Sequence, residues 1–91
     1  MSAITVERQI SPQRLAELGV QGWPVWEKGI SSFPWRYGEA ETCYLIAGCV
    51  EVTPEGGEPV VIGKGDLATF ASGLRCTWKI TEPLAKYYHF G

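Results

Sequence analysis

The chain has 91 residues, a length typical of one domain, and we expect a single domain over residues 1–91. Hydrophobic residues make up 45% and charged residues 20%, a balance typical of globular rather than disordered proteins. The net charge of −2 gives no electrostatic reason to bind nucleic acid, and no apolar run is long enough to predict a membrane span.

Three cysteines are present, Cys43, Cys49 and Cys76, an odd number that does not fit a complete disulfide framework. The N-terminus lacks the charged and apolar segments of a signal peptide. We therefore expect reduced thiols and a cytoplasmic protein.

One short helix is predicted near the N-terminus. Ser11 is a good N-cap, and Pro12 suits the first helical position. Leu15 and Leu18 would form the buried stripe of this helix, and Gly19 would end it.

The remaining segments predict strands, because they are short, rich in Val, Ile, Thr and aromatic residues, and separated by Gly and Pro. They span 3–10, 23–28, 33–37, 41–47, 49–53, 59–62, 67–70, 75–81 and 84–90. Gly56-Gly57 predicts a hairpin with a two-residue loop, and residues 63–66 predict a second glycine turn. Many short strands at regular spacing indicate a sandwich or a barrel.

Two stretches of the chain have the spacing of a known pair of motifs. Glu41 and Gly48 match the E-x6-G part of the first cupin motif, and Gly65 and Gly73 match the glycines of the second. The chain therefore resembles the cupins. The resemblance implies an all-β fold, the cupin-type double-stranded β-helix or RmlC-like jelly-roll barrel, with one short N-terminal helix.

Further segments narrow the resemblance. Residues 23–28, 41–44 and 73–78 are similar to small single-domain cupins related to ureidoglycine aminohydrolase and to ethanolamine-utilisation cupins. The similarity extends from Ser11 to the aromatic tail at residues 87–90. This branch implies a fold more than a reaction, because many of its small members have no assigned activity.

At the positions where cupins carry metal-binding histidines, this chain has Trp35, Tyr37 and Cys76. The corresponding cupin positions, including that of Glu41, face the barrel interior. Strand alternation adds Cys43 and Trp78 to the same face. The predicted cavity residues are therefore Trp35, Tyr37, Glu41, Cys43, Cys76 and Trp78.

Glu41 and Cys76 are the candidate catalytic residues. A carboxylate held in an apolar barrel is a candidate general acid or base, although Glu41 could also tip outward or meet a buried donor such as Tyr37. Cys76 could be a nucleophile or a soft metal ligand, or simply a small buried hydrophobic residue. Arg75 and Lys79 have the opposite parity to Cys76, so no inward cation is predicted on their strand.

Three functions are compatible with this pattern. The first is a small-molecule-binding cupin without a standard metal site, with Trp35, Tyr37, Cys43 and Trp78 as ligand-binding residues. The second is an enzyme that uses one divalent transition metal, Mn or Zn, on a small nitrogenous metabolite. A Zn²⁺ site would then need Glu41, Cys43, Cys76 and His89. The third is a non-catalytic interaction module that forms a homodimer through residues 23–26.

Overall fold

The structure is a computed structural model and describes residues 3–91. It begins with strand β1 (Ile4–Glu7), helix α1 (Pro12–Leu18) and a 3-10 turn (Val20–Gly22). Six strands follow: β2 (Val25–Lys28), β3 (Ser31–Arg36), β4 (Glu41–Pro54), β5 (Val60–Gly63), β6 (Leu67–Phe70) and β7 (Arg75–Phe90). Within residues 3–91, no helix is both long enough and apolar enough to cross a membrane.

Two long strands, β4 and β7, pair with each other and organise the sheet. The strand order is β1-β6-β4-β7-β2, with β3 also paired to β7 and β5 also paired to β4. All of these pairs are antiparallel. Besides pairing with each other, β4 pairs with β6 along its first half and with β5 along its second half. Likewise, β7 pairs first with β3 and then with β2. This change of partner is how a jelly-roll sheet curls around a core, and the predicted all-β fold is confirmed.

The core is formed by the inward side chains of these strands. Val50 and Val52 of β4, Ile62 of β5 and Ile80 of β7 are fully buried or nearly so. Successive residues of a strand point to opposite faces, and β7 accordingly alternates between buried and exposed residues from Arg75 to Thr81. This alternation decides which side chains of β7 reach the interior.

The two long strands replace four shorter predicted ones. Segments 41–47 and 49–53 form the single strand β4, and 75–81 and 84–90 form β7. Gly48 and Pro83, which were predicted to end strands, lie instead within continuous strands. The β4–β7 register shifts between Leu45 and Val50, which indicates β-bulges that bend the strands without ending them.

Gly48 is required where the two long strands meet. Its φ of +88° is in the left-handed region, which disfavours residues with a side chain. A Cβ at this position would lie 2.7 Å from Leu84 Cα and closer still to the Pro83 carbonyl oxygen. Both neighbours are backbone atoms, so the clash could be relieved only by moving the strands apart.

We therefore expect Gly48→Ala to lower the free energy of unfolding by about 2–4 kcal/mol, from the strained φ and the overpacked backbone. Chemical denaturation would measure the loss. Gly38→Ala is the matched control, because a Cβ at Gly38 meets nothing within 4 Å. Equal stability of the two variants would contradict the close approach at Gly48.

Helix α1 has the predicted ends but not the predicted buried stripe. The Ser11 hydroxyl accepts a hydrogen bond from Arg14 N at 3.1 Å, and Gly19 caps the C-terminus with a φ of +68°. Leu15 and Leu18 are only half-buried, and no residue of the helix is fully buried. The prediction of a buried stripe is wrong because the strands alone enclose the core and this two-turn helix lies outside it.

The β4–β5 hairpin is confirmed, but its loop is longer than predicted. Residues 55–59 separate the two strands, and only Gly56 of the glycine pair has a positive φ, +74°. A two-residue loop of the predicted kind needs positive φ at both central positions. The second glycine turn is confirmed by a 3.0 Å hydrogen bond from Asp66 N to Gly63 O.

Asp66 ties the end of β1 to this second turn. Its buried carboxylate accepts hydrogen bonds from Arg8 Nη1 at 2.8 Å, Gly63 N at 2.9 Å and Gln9 N at 3.3 Å. Although burial opposes ionisation, the bonds from Gly63, Arg8 and Gln9 hold the pKa of Asp66 below its ordinary value of 3.8.

A lowered carboxyl pKa makes stability depend on pH in acid. The contribution of Asp66 is present above pH 3.8 and is lost as the pH falls through 3.8 and then through the lower folded-state pKa. We expect Asp66→Asn to lose about 2 kcal/mol at neutral pH and to show a shallower loss of stability in acid. Urea denaturation across this range would test it. The control Glu17→Gln removes an exposed carboxylate and should keep the wild-type slope.

Candidate functional site

An aromatic pocket opens into the barrel beside β7. Its volume is about 160 Å³. The residues that line it come from β2, β3, β4 and β7 and from the segment after β3. They are Trp26, Phe33, Trp35, Tyr37, Glu41, Trp78, Lys86, Tyr88 and Phe90. Aromatic rings therefore form most of the wall, and two oppositely charged side chains complete it.

The charged residues of the pocket form a buried ion pair. Lys86 Nζ donates a hydrogen bond to Glu41 Oε2 at 2.6 Å, and the two side chains are only 8% and 4% exposed. Removing two charges from water costs several kcal/mol per ion, which their attraction only partly offsets. Because apolar residues of similar volume often serve stability as well or better, stability alone does not account for this pair.

Two indole rings surround the ammonium group of Lys86. Its Nζ lies 4.6 Å from the ring centre of Trp78 and 5.0 Å from that of Trp26. Trp26 is the direct cross-strand partner of Lys86 in the β2–β7 register, so sheet pairing itself places this ring over the charge. These cation–π contacts stabilise an ammonium group that has little access to water.

Tyr37 and Trp78 link the pocket to the core. Trp78 Nε1 donates a hydrogen bond to the Tyr37 hydroxyl at 3.2 Å, and the Tyr37 ring stacks on Phe70 with a centroid distance of 4.8 Å. Burial, followed by the nearby charge of Glu41, raises the pKa of Tyr37 well above its ordinary value. Tyr37 therefore remains a neutral phenol at physiological pH.

Trp35 lies at the mouth of the pocket. It is 47% exposed, while Tyr37 and Trp78 are almost completely buried. Its ring meets Tyr37 and Phe33 edge to face, with centroid distances of 6.4 and 6.5 Å. Of the predicted cavity residues, Trp35, Tyr37, Glu41 and Trp78 are thus brought together around one pocket.

The two predicted cysteines are buried but do not line this pocket. Cys43 lies in the core, and Cys76 borders a second, wider groove on the surface. Burial raises the pKa of Cys43 to about 12 and raises that of Cys76 above its ordinary value. Both side chains are therefore thiols at neutral pH. Their assignments as ligand-binding and catalytic residues stay predictions.

Lys86 is the charged residue of the pocket that the sequence patterns did not identify, and the aromatic residues Trp26, Phe33, Tyr88 and Phe90 were not predicted there either. The sequence predicts two separate strands in place of β7, and on the first of them Arg75 and Lys79 are the cations. Residues 76, 78, 80, 84 and 86 are all buried and share one parity along β7, and Glu82, beside Pro83, is the exposed residue of that parity between them. Continuing the alternation from Cys76 past Pro83 is the signal that identifies Lys86 as inward.

The family of the chain follows from sequence comparison. Residues 15–88 match the model of the EutQ-like cupin domain. The chain belongs to the EutQ-like cupin family. No curated protein matches it significantly.

Solved structures agree with membership of the EutQ-like cupin family. A DUF861-family protein from Thermotoga maritima is 50% identical, with a TM-score of 0.93, over 97% of this chain and 99% of its own. The Clostridium difficile EutQ protein is 17% identical, with a TM-score of 0.68, over 96% of this chain and 66% of its own. A putative ethanolamine utilization protein Q from Salmonella typhimurium is 18% identical, with a TM-score of 0.63, over 98% and 58%. The last two support the fold alone, and kinship with ureidoglycine aminohydrolase stays a prediction.

The residues of this EutQ-like cupin do not fit a metal at the position that the cupin resemblance implies. Within residues 3–91, no three His, Cys, Asp or Glu side chains cluster closely enough to hold a metal ion. The set of Glu41, Cys43, Cys76 and His89 therefore forms no such group. In addition, the ammonium of Lys86 engages Glu41 at 2.6 Å and would repel a divalent cation there.

The ion pair leads to a specific prediction for stability. Lys86→Met should lower the free energy of unfolding by about 3–5 kcal/mol, because it leaves Glu41 buried without a partner. Adding Glu41→Gln to this variant should recover most of that loss, since the carboxylate is removed together with the ammonium. Urea denaturation of both single variants and the double variant would measure their coupling. Simple addition of the two single effects would show that the pair is not coupled.

Proposed function

We propose that this EutQ-like cupin is a binding domain for one small molecule and that it works without a metal. The observation that carries the proposal is the position of the Glu41–Lys86 pair, which is buried and yet lines an open aromatic pocket. A pair that served only the core would not need access to a cavity. Ligand sites combine mostly apolar walls with a few polar groups that set orientation.

The size of the pocket limits the ligand. A cavity of about 150 Å³ in another protein holds benzene, so the 160 Å³ here suits a molecule of about one ring. The rings of Phe33 and Trp78 are nearly parallel, at 19°, and Trp26 meets Trp78 edge-on at 83°. These surfaces favour stacking with a flat or ring-shaped molecule.

The polar groups at the bottom of the pocket supply orientation. Glu41 provides an acceptor, Lys86 a donor, and the neutral Tyr37 adds a hydroxyl beside them. Glu41 is thus the anchoring carboxylate of the site, and Lys86 is its second anchor. Whether Glu41 also acts as a general acid or base stays a prediction.

The other two predicted functions have less support from the geometry. A Mn or Zn enzyme would need a ligand set that residues 3–91 do not provide. Residues 23–26, the predicted contact patch for a homodimer, do not form one continuous exposed surface. Val25 is 50% exposed, Trp26 lines the pocket, and the tilted rings of Trp23 and His89 have a centroid distance of 5.2 Å. The homodimer stays a prediction.

Indole N–H signals in ¹H–¹⁵N NMR spectra would test ligand binding directly. Trp26, Trp35 and Trp78 line the pocket, whereas Trp23 does not and serves as an internal reference. We expect at least one of 2-pyridone, benzoate, benzylamine and toluene, titrated to about 10 mM, to shift the three pocket signals and not that of Trp23. If none of the four shifts these signals, the proposed function is wrong.

A variant at the mouth of the pocket would separate binding from folding. Trp35→Ala should weaken any bound probe by about 0.5–1.5 kcal/mol through lost stacking, with little loss of stability because Trp35 is half exposed. Trp23→Phe is the matched control and should leave affinity unchanged.

Elemental analysis of protein purified without an affinity tag tests the absence of a metal. One equivalent of Mn, Fe or Zn that only a chelator removes would contradict the metal-free proposal.

A further inference from the structure

The charges in the pocket restrict which ligands it can accept. Glu41 and Lys86 are the charged residues that line it, and they neutralise each other at 2.6 Å. An anion that paired with Lys86 would leave the buried Glu41 carboxylate facing a like charge, and a cation would meet the same problem at Lys86. A neutral ligand avoids both conflicts and leaves the ion pair intact.

The ion pair also presents a donor next to an acceptor. Lys86 Nζ can donate and Glu41 Oε2 can accept, and these atoms are 2.6 Å apart. In an amide, C=O and C–N bonds of about 1.23 and 1.33 Å place the oxygen and nitrogen roughly 2.2 Å apart. An amide whose N–H and C=O point the same way can therefore make two parallel hydrogen bonds to the pair.

The shape of the wall limits the ligand further. An amide has its N–H and C=O on the same side when it is part of a small ring, because ring closure requires the cis form. Such a ring is flat when its other ring atoms are conjugated with the amide, and the aromatic faces of Phe33, Trp78 and Trp26 on the wall favour flat molecules. One ring matches the 160 Å³ of the pocket.

We propose that the ligand is a neutral, planar, single-ring molecule with a ring N–H next to a C=O, that is, a cyclic amide or imide. This inference rests on the proposed function and adds the chemical class of the ligand to it. The N–H donates to the Glu41 carboxylate, and the C=O accepts from the Lys86 ammonium. An aromatic ring of the pocket wall packs against a face of the ligand.

The test compares 2-pyridone with N-methyl-2-pyridone on the wild-type protein, followed by the same indole N–H signals. The methyl group removes the donor that would meet Glu41 and adds the volume of one methyl group. We expect about tenfold weaker binding of the methylated ring, because a hydrogen bond to a charged acceptor is lost. Equal affinity of the two rings would overturn the inference. This comparison does not depend on whether any variant folds.

A variant adds a readout that structural damage alone would not produce. Glu41→Gln removes the negative charge and frees Lys86 for an anion. It should therefore weaken 2-pyridone and strengthen benzoate, which reverses the order of the two ligands relative to the wild type. Trp23→Phe, outside the pocket, should keep the wild-type order.

The outcomes separate this inference from the proposed function. If benzoate or benzylamine binds the wild-type protein more tightly than 2-pyridone, the ligand class is wrong and the binding function stands. If no probe shifts the signals of Trp26, Trp35 and Trp78, both are wrong. Tightest binding of 2-pyridone, together with the loss on methylation, would support both.

Discussion

The contact between Glu41 and Lys86 is the constraint on which the site depends. Each residue is buried, and each would be costly in the barrel without the other. The pair needs two strands in one register, because Glu41 begins β4 and Lys86 lies near the end of β7. The long β4–β7 pairing, bent at Gly48, therefore serves the site as well as the fold.

The aromatic residues of the pocket stabilise the buried ion pair and also hold it in a fixed position. Trp78 contacts the Lys86 ammonium, donates to the Tyr37 hydroxyl and stacks near Phe33. Trp78 thereby connects the ion pair, the Tyr37 hydroxyl and the aromatic wall of the pocket in one packed unit. If the pocket binds a small molecule as proposed, its donors and acceptors are already held in place, which lowers the entropic cost of binding.

In the cupin motifs that this chain resembles, histidines and a carboxylate hold a metal. Here the carboxylate remains as Glu41, and a lysine ammonium contacts it. The positive charge of the site thus comes from a residue of the chain itself. An ammonium group donates hydrogen bonds and cannot act as a Lewis acid in the manner of a metal ion. This difference supports the proposed role of the pocket in binding a small molecule over a role in metal-dependent chemistry.

The sequence alone indicated an all-β sandwich or barrel, because strand patterns and glycine turns depend on local geometry, and the cupin resemblance, carried by the spacing from Glu41 to Gly48, implied the jelly-roll form. The cupin resemblance implied that Tyr37 and Glu41 face inward, strand parity added Trp78, and all three side chains are buried in the structure. The tertiary structure alone decided that Cys76 leaves the pocket and that Lys86 enters it. Lys86 reaches the interior because β7 remains one strand past Pro83, and the neighbours of each residue depend on which strand pairs beside β7, β3 at Cys76 and β2 at Lys86. Those pairings join residues far apart in the chain, and no local pattern specifies them.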